Sequence, residues 1–227
     1  MIVKSFGCSF IFGTDLADAG HGTDASNFTW PALIAQQLGT KYICRAQGGI
    51  GNFIILRRIL ENISMDRGQD AFYIISWTWI DRFDYLLENT DPKLNEQWHT
   101  LTPAEHSTPA DFYYRNFHTE LKDKMSSLVY IKSAIDTLNQ NNIPFLMTYM
   151  DPLILDQTWH APAMVTDCQA AVTPWLKTFE GQTLLEWSKN KGFPISETLH
   201  PLESAHAAAA DIIMPLAKST LFDHNLV

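Results

Sequence analysis

Short apolar runs of strand length alternate along the chain with stretches whose apolar residues recur at helical spacing. Residues 1–6 (MIVKSF) are apolar and end at Gly7, which predicts a buried strand. Residues 41–45 (KYICR), 71–77 (AFYIISW) and 144–150 (PFLMTYM) predict three more. Between them, residues 29–38 set Trp30, Leu33, Ile34 and Leu38 at helical spacing, with Pro31 in the first turn and Gly39 as a stop. Residues 52–64 place Ile55, Ile59, Leu60 and Ile63 on one helical face. Residues 119–141 predict a long amphipathic helix that ends in NQNN before Pro144. Residues 180–191 predict another, stopped by Gly192. A last helix is expected from near Pro201 to about Phe222, with a kink at Pro215.

Strand and helix in alternation imply right-handed βαβ crossovers, and so a three-layer α/β/α fold with a parallel sheet between helices. Ligands bind beyond the carboxyl ends of the strands in such sheets, which directs attention to loops 7–28, 46–52, 77–118 and 151–166. No internal repeat or linker interrupts the 227 residues, so one domain is expected over 1–227. Segment 81–118 stands out as long and polar, with Trp98, Phe112, Tyr113 and Tyr114 among its acids, prolines and threonines. A segment of this kind reads either as a surface excursion or as a lid or substrate-binding insertion.

Charge narrows the possible partners. With 25 acidic and 16 basic residues the formal charge is −9, and the one adjacent basic pair is Arg57-Arg58 on a predicted helix. Neither nucleic acid nor an anionic membrane surface fits that balance. No apolar run approaches the roughly 20 residues of a membrane span. Three cysteines (Cys8, Cys44 and Cys168) without CxxC spacing fit a reducing compartment better than a disulfide framework or a zinc ribbon. The opening MIVKSFGCSF has no long apolar stretch of secretory type, so a cytoplasmic location is expected.

Three loop motifs carry candidate chemistry. Gly7-Cys8-Ser9-Phe10-Ile11-Phe12-Gly13 follows the first strand and puts a serine hydroxyl at the carboxyl edge of the sheet. Ala46-Gln47-Gly48-Gly49-Ile50-Gly51-Asn52 follows the second strand, and a glycine-rich turn opening a helix presents free N–H groups to an oxyanion or phosphate. A dinucleotide fingerprint would need a further glycine where Ile54 stands, so no nucleotide cofactor is expected. Glu197-Thr198-Leu199-His200-Pro201 precedes the last helix, with a carboxylate placed to orient an imidazole, as an activated serine requires.

Together these blocks resemble the SGNH/GDSL hydrolase family. Its nucleophile block GDSxxxG matches Gly7, Ser9 and Gly13, with Cys8 for Asp. Gly49 matches the glycine whose N–H joins the oxyanion hole, and Asn52 the asparagine often found just after it. Its DxxHP block matches Glu197, His200 and Pro201, with Glu for Asp. The resemblance spans essentially the whole chain, with the blocks in the family's order. It implies a flavodoxin-like central parallel sheet, a Ser9–His200–Glu197 triad, and oxyanion donors from Ser9, Gly49, Asn52 and Thr78. The third block, GxND, is absent: the third strand ends Ile75-Ser76-Trp77-Thr78-Trp79, and Thr78 falls closest to the missing asparagine.

The implied activity is serine-esterase hydrolysis of a small acyl ester, such as acetate on a sugar hydroxyl, without metal or organic cofactor. The alternatives are an acyltransferase using the same residues and a non-catalytic binding or structural protein that keeps the fold. Trp77, Trp79 and His21 are candidate substrate-binding residues. His200 and His206, six apart, lack the spacing of metal ligands on one helical face, so no metal site is expected. Asp81, Arg82 and Asp84 read as a solvated group at the entry of the insertion.

Overall fold

The computed structural model describes residues 1–19, 24–66, 69–87 and 97–226. Four parallel strands form the central sheet: β1 (Ile2–Phe6), β2 (Lys41–Cys44), β3 (Ala71–Trp77) and β6 (Phe145–Tyr149), in the order β2-β1-β3-β6. Every residue of β3 is buried, as the continuous apolar run AFYIISW requires of a strand covered on both faces. Lys4 is the charged residue of β1. Its buried Nζ meets Asp66 Oδ1 at 2.5 Å and Asn62 Oδ1 at 3.1 Å, and Tyr73 Oη donates to Asp66 Oδ2 at 2.6 Å, so the charge is paired rather than stranded.

The helices are α1 (Ser9–Phe12), α2 (Trp30–Gln37), α3 (Asn52–Met65), α4 (Thr108–Asn116), α5 (Glu120–Gln140), α6 (Ala163–Val172), α7 (Leu184–Asn190) and α8 (Glu203–Asp223). The contacts between α2 and α8, and between α3, α5 and α6, make two helical layers around the sheet. The four expected strands and the five expected helices are all present. The last helix begins at Glu203 and runs through Pro215, and Leu60, expected on the buried face of α3, is exposed. Helix α6 falls in a region that periodicity leaves blank, because one of its three buried positions, Val165, Gln169 and Val172, is polar. Gln169 Nε2 donates to the carbonyls of Ile154 and Asp156, each at 2.9 Å, while its buried Oε1 has no partner among the described residues.

Segment 81–118 holds a β-hairpin of β4 (Phe83–Leu87) and β5 (Gln97–Leu101), followed by α4. Leu101, Ala110 and Tyr113 give it a small core of its own, with Phe83 stacked on Tyr113 at a centroid distance of 4.1 Å. Its entry is not solvated as expected. Asp84 accepts hydrogen bonds from the N–H groups of Gly51 and Ile54, both at 2.9 Å, and from Thr100 Oγ1 at 2.5 Å. Burial pushes its carboxyl upward, against these hydrogen bonds. Gly51 is where the hairpin approaches most closely, since a Cβ there would lie 2.6–2.8 Å from the Asp84 carboxylate. Arg82 Nη1 donates to Ile50 O at 2.9 Å. The hairpin is thus fastened to the glycine-rich turn.

Candidate active site

With β1 lying between β2 and β3, the direction of chain progression across the sheet reverses beside β1, and a crevice forms there at the carboxyl ends. Into it converge the loops after β1, β2, β3 and β6 and the loop before α8. They line a cleft of about 550 Å³ with Ser9, Gly48, Gly49, Trp79, Arg82 and His200, and with an apolar wall that includes Phe10, Met150 and Leu185. The volume lies within the range of small-molecule sites.

Ser9 is the first residue of α1, so its N–H has no intrahelical acceptor. Among the described residues its Oγ has one hydrogen-bond contact, a long one of 3.9 Å to Cys8 Sγ, and none to His200. Cys8 is fully buried, with its thiol 3.1 Å from Met150 Sδ, which takes it out of the cleft as a competing nucleophile. Gly49 sits at φ +81°, a turn conformation that other residues adopt at a cost. Its N–H takes no acceptor among the described residues.

His200 is held by a tight loop. Its carbonyl accepts from Ser196 N at 2.9 Å, its N–H donates to Ser196 Oγ at 3.0 Å, and Leu199 takes a left-handed φ of 65°. Across the ring, Nδ1 lies 2.8 Å from Asp15 Oδ2 and 2.7 Å from Thr198 Oγ1, and the Phe10 ring meets the imidazole edge-on at 5.4 Å. The hydroxyls of Thr198 and Ser196 also donate to Asp15 Oδ2. Hydrogen bonding by Thr198 first, then by Ser196, holds the Asp15 carboxyl below the usual range against partial desolvation, and His200 adds to the same effect.

The carboxylate beside His200 is therefore Asp15. Glu197, expected in that place, is exposed and makes no hydrogen bond or ion pair with His200. The turn at 196–200 aims Ser196 and Thr198, not Glu197, toward the imidazole's partner. Asn52 and Thr78, expected as oxyanion donors, are bonded to each other. Asn52 Oδ1 accepts from Thr78 N at 2.8 Å, while Asn52 Nδ2 donates to Thr78 O at 3.2 Å and to Ser127 Oγ at 3.1 Å. Both side chains are buried outside the cleft lining, and the Thr78 hydroxyl has no partner among the described residues. Trp77 is wholly buried with Nε1 3.5 Å from Met147 Sδ, so Trp79 alone of the two lines the cleft. His21 lies outside the described residues.

Sequence reasoning missed Asp15, and it read Arg82, which lines the cleft, as part of a solvated group. Asp15 follows the serine by six positions in the same loop, but its partner is 185 residues away and no spacing links them. His206 is structural: it is buried, and its Nδ1 accepts from Trp30 N at 3.2 Å. Among the described residues no group of three or more His, Cys, Asp or Glu side chains is arranged to hold a metal ion, and no helix is long and apolar enough to cross a membrane.

No protein-family model matches the chain, and no curated protein matches it in sequence. Solved structures do match in shape. TesA aligns with a TM-score of 0.56 at 13% identity over 97% of this chain and 100% of its own. A lipolytic protein of the G-D-S-L family from Veillonella parvula aligns at 0.54 and 11% identity, over 95% and 97%. A catalytic mutant of Axe2, an acetylxylan esterase from Geobacillus stearothermophilus, aligns at 0.52 and 10% identity, over 95% and 93%. The fold is that of the SGNH/GDSL hydrolases. Identities this low speak for the SGNH fold alone, and the chemistry has to be argued from the cleft.

Proposed function

We propose that this protein is a serine esterase acting on a small acyl ester. The observation that carries the reading is the contact of His200 Nδ1 with Asp15 at 2.8 Å, on the wall of the cleft that Ser9 and Gly49 also line. A carboxylate on Nδ1 fixes the tautomer in which Nε2 is the free base. Ser9 Oγ attacks the ester carbonyl and its proton passes to His200 Nε2. The carbonyl oxygen, now an anion, takes the N–H groups of Ser9 and Gly49. As the tetrahedral intermediate collapses, His200 returns the proton to the departing alcohol. A water molecule, deprotonated by His200, then releases the acid and restores Ser9. The open Ser9–His200 distance is compatible with this route, because catalytic hydrogen bonds often close only around substrate.

The apolar wall suits a short acyl group, and Trp79 offers a flat face on which a sugar ring can stack. Acetate on a carbohydrate hydroxyl is accordingly the substrate class favoured, in keeping with the acetylxylan esterases among the structural neighbours. A fluorophosphonate should add once to the wild type, read by intact mass, and should fail to add to Ser9→Ala and His200→Ala. Two observations favour a second reading, a non-catalytic binding protein: Ser9 Oγ is not bonded to His200, and the Asn52 and Thr78 side chains lie outside the cleft lining. A folded wild type that takes no adduct would decide for it.

A further inference from the structure

We propose that the Arg82 guanidinium is the side-chain oxyanion donor of this cleft, an assignment that rests on the esterase reading. An attacked carbonyl needs donors already in place where its charge develops, and each donor is worth about 100–1,000-fold in rate. Two of the four donors expected from the resemblance lie away from the cleft: the Asn52 amide is spent on Thr78 and Ser127, and the Thr78 hydroxyl is buried in the interior. That leaves the backbone N–H groups of Ser9 and Gly49, and a cleft short of the side-chain donor that its missing third block would supply.

Arg82 lines the same cleft as Ser9 and Gly49. Its Nη1 donates to the carbonyl of Ile50, the residue directly after Gly49, at 2.9 Å. The cation is therefore tied to the very turn that carries the Gly49 N–H, rather than swinging at the rim. That bond uses one of five guanidinium N–H donors. Among the described residues Arg82 forms no ion pair, although its charge counters the burial that raises the carboxyl of the neighbouring Asp81, and the side chain is half-buried, where a charge acts more strongly than in water. The neighbouring wall of Phe10, Trp79, Met150 and Leu185 offers it no anion. The anion that ester hydrolysis creates beside Ser9 and Gly49 is the tetrahedral oxyanion. Arg82 lies in the loop between β3 and β4, four positions past Thr78, so the donor comes from the same loop that would have carried the absent block.

The test is kcat and KM for a neutral acetyl ester, p-nitrophenyl acetate, with the full chain as wild type, Arg82→Ala, Arg82→Gln and Arg82→Lys, alongside fluorophosphonate labelling and a thermal melt of each. Arg82→Ala is expected to lower kcat about 100-fold with KM changed less than threefold, because the contact exists only in the transition state. Arg82→Gln can keep the bond to Ile50 O without the charge and should lose at least about tenfold in kcat. Arg82→Lys should recover part of the loss. Should Arg82→Ala fail to melt cooperatively, the Gln and Lys pair carries the comparison. Turnover of Arg82→Gln within twofold of wild type overturns the proposal, as does a loss confined to KM or to esters bearing a carboxylate, which would make Arg82 a substrate-anion anchor. A wild type that neither turns over nor labels overturns the esterase reading, and this assignment with it.

Discussion

At the scale of residues, the decisive feature is which carboxylate meets His200. The Asp15 carboxyl is held below its ordinary value by hydrogen bonds from Thr198 and Ser196 and by its contact with His200, whereas Glu197 has none of these contacts. Asp15→Asn should therefore lower kcat for ester hydrolysis by about 1,000-fold or more, by favouring the wrong imidazole tautomer. Glu197→Gln should stay within twofold of wild type. Equal losses in the two variants would return Glu197 to the triad. That Ser9, Gly49 and His200 lie at one edge of the sheet was legible in the sequence because each adjoins the end of a regular element. Asp15 was not, since its role depends on a loop that closes 185 positions later.

At the scale of elements, the glycine-rich turn and α3 are governed by the hairpin packed on them. The N–H groups that open a helix form a ready anion site, and here that site is already filled from within by Asp84. The expectation that this turn offers its helix N-terminus to a ligand therefore narrows to the Gly49 N–H. Asp84→Ala leaves the N–H groups of Gly51 and Ile54 without their acceptor and should cost about 1–2 kcal/mol, read as a lower urea midpoint at unchanged m. Gly51→Ala should lower kcat as well as stability, because its Cβ would push the Asp84 carboxylate, and Arg82 with it, off the turn. Unchanged kcat in a folded Gly51→Ala variant would separate the hairpin from the cleft. Strand β4 was hidden from a reading by local pattern because FDYLL mixes polar and apolar residues without strict alternation and pairs with a segment across a long connection.

At the scale of the whole molecule, α8 closes the layer formed with α2, and the buried His206 joins the two through Trp30 N. Burial is the main cause that pushes the His206 imidazole down to about 4 from its ordinary 6.5. Between those values the unfolded chain binds a proton that the folded chain refuses, so stability rises with pH there. The contribution is fully present above about 6.5 and is lost as pH falls through about 4; it amounts to about 3 kcal/mol. The melting temperature should fall on acidification from pH 7 to pH 4, and His206→Gln should make that fall shallower. Parallel curves for the two proteins would remove His206 as the cause.

The sequence by itself determined the alternation of strands and helices, the parallel three-layer sheet and the loops at its carboxyl edge. Those features follow from side-chain period and from turn residues, which act within a few positions of one another. Tertiary structure alone decided that Asp15 rather than Glu197 pairs with His200, that Asn52 and Thr78 satisfy each other, and that Arg82 and Asp84 close on the glycine turn. Each of those pairings joins residues 26 to 185 positions apart. A polar group taken out of water bonds with whatever partner packing brings within reach, and local pattern holds no record of that partner.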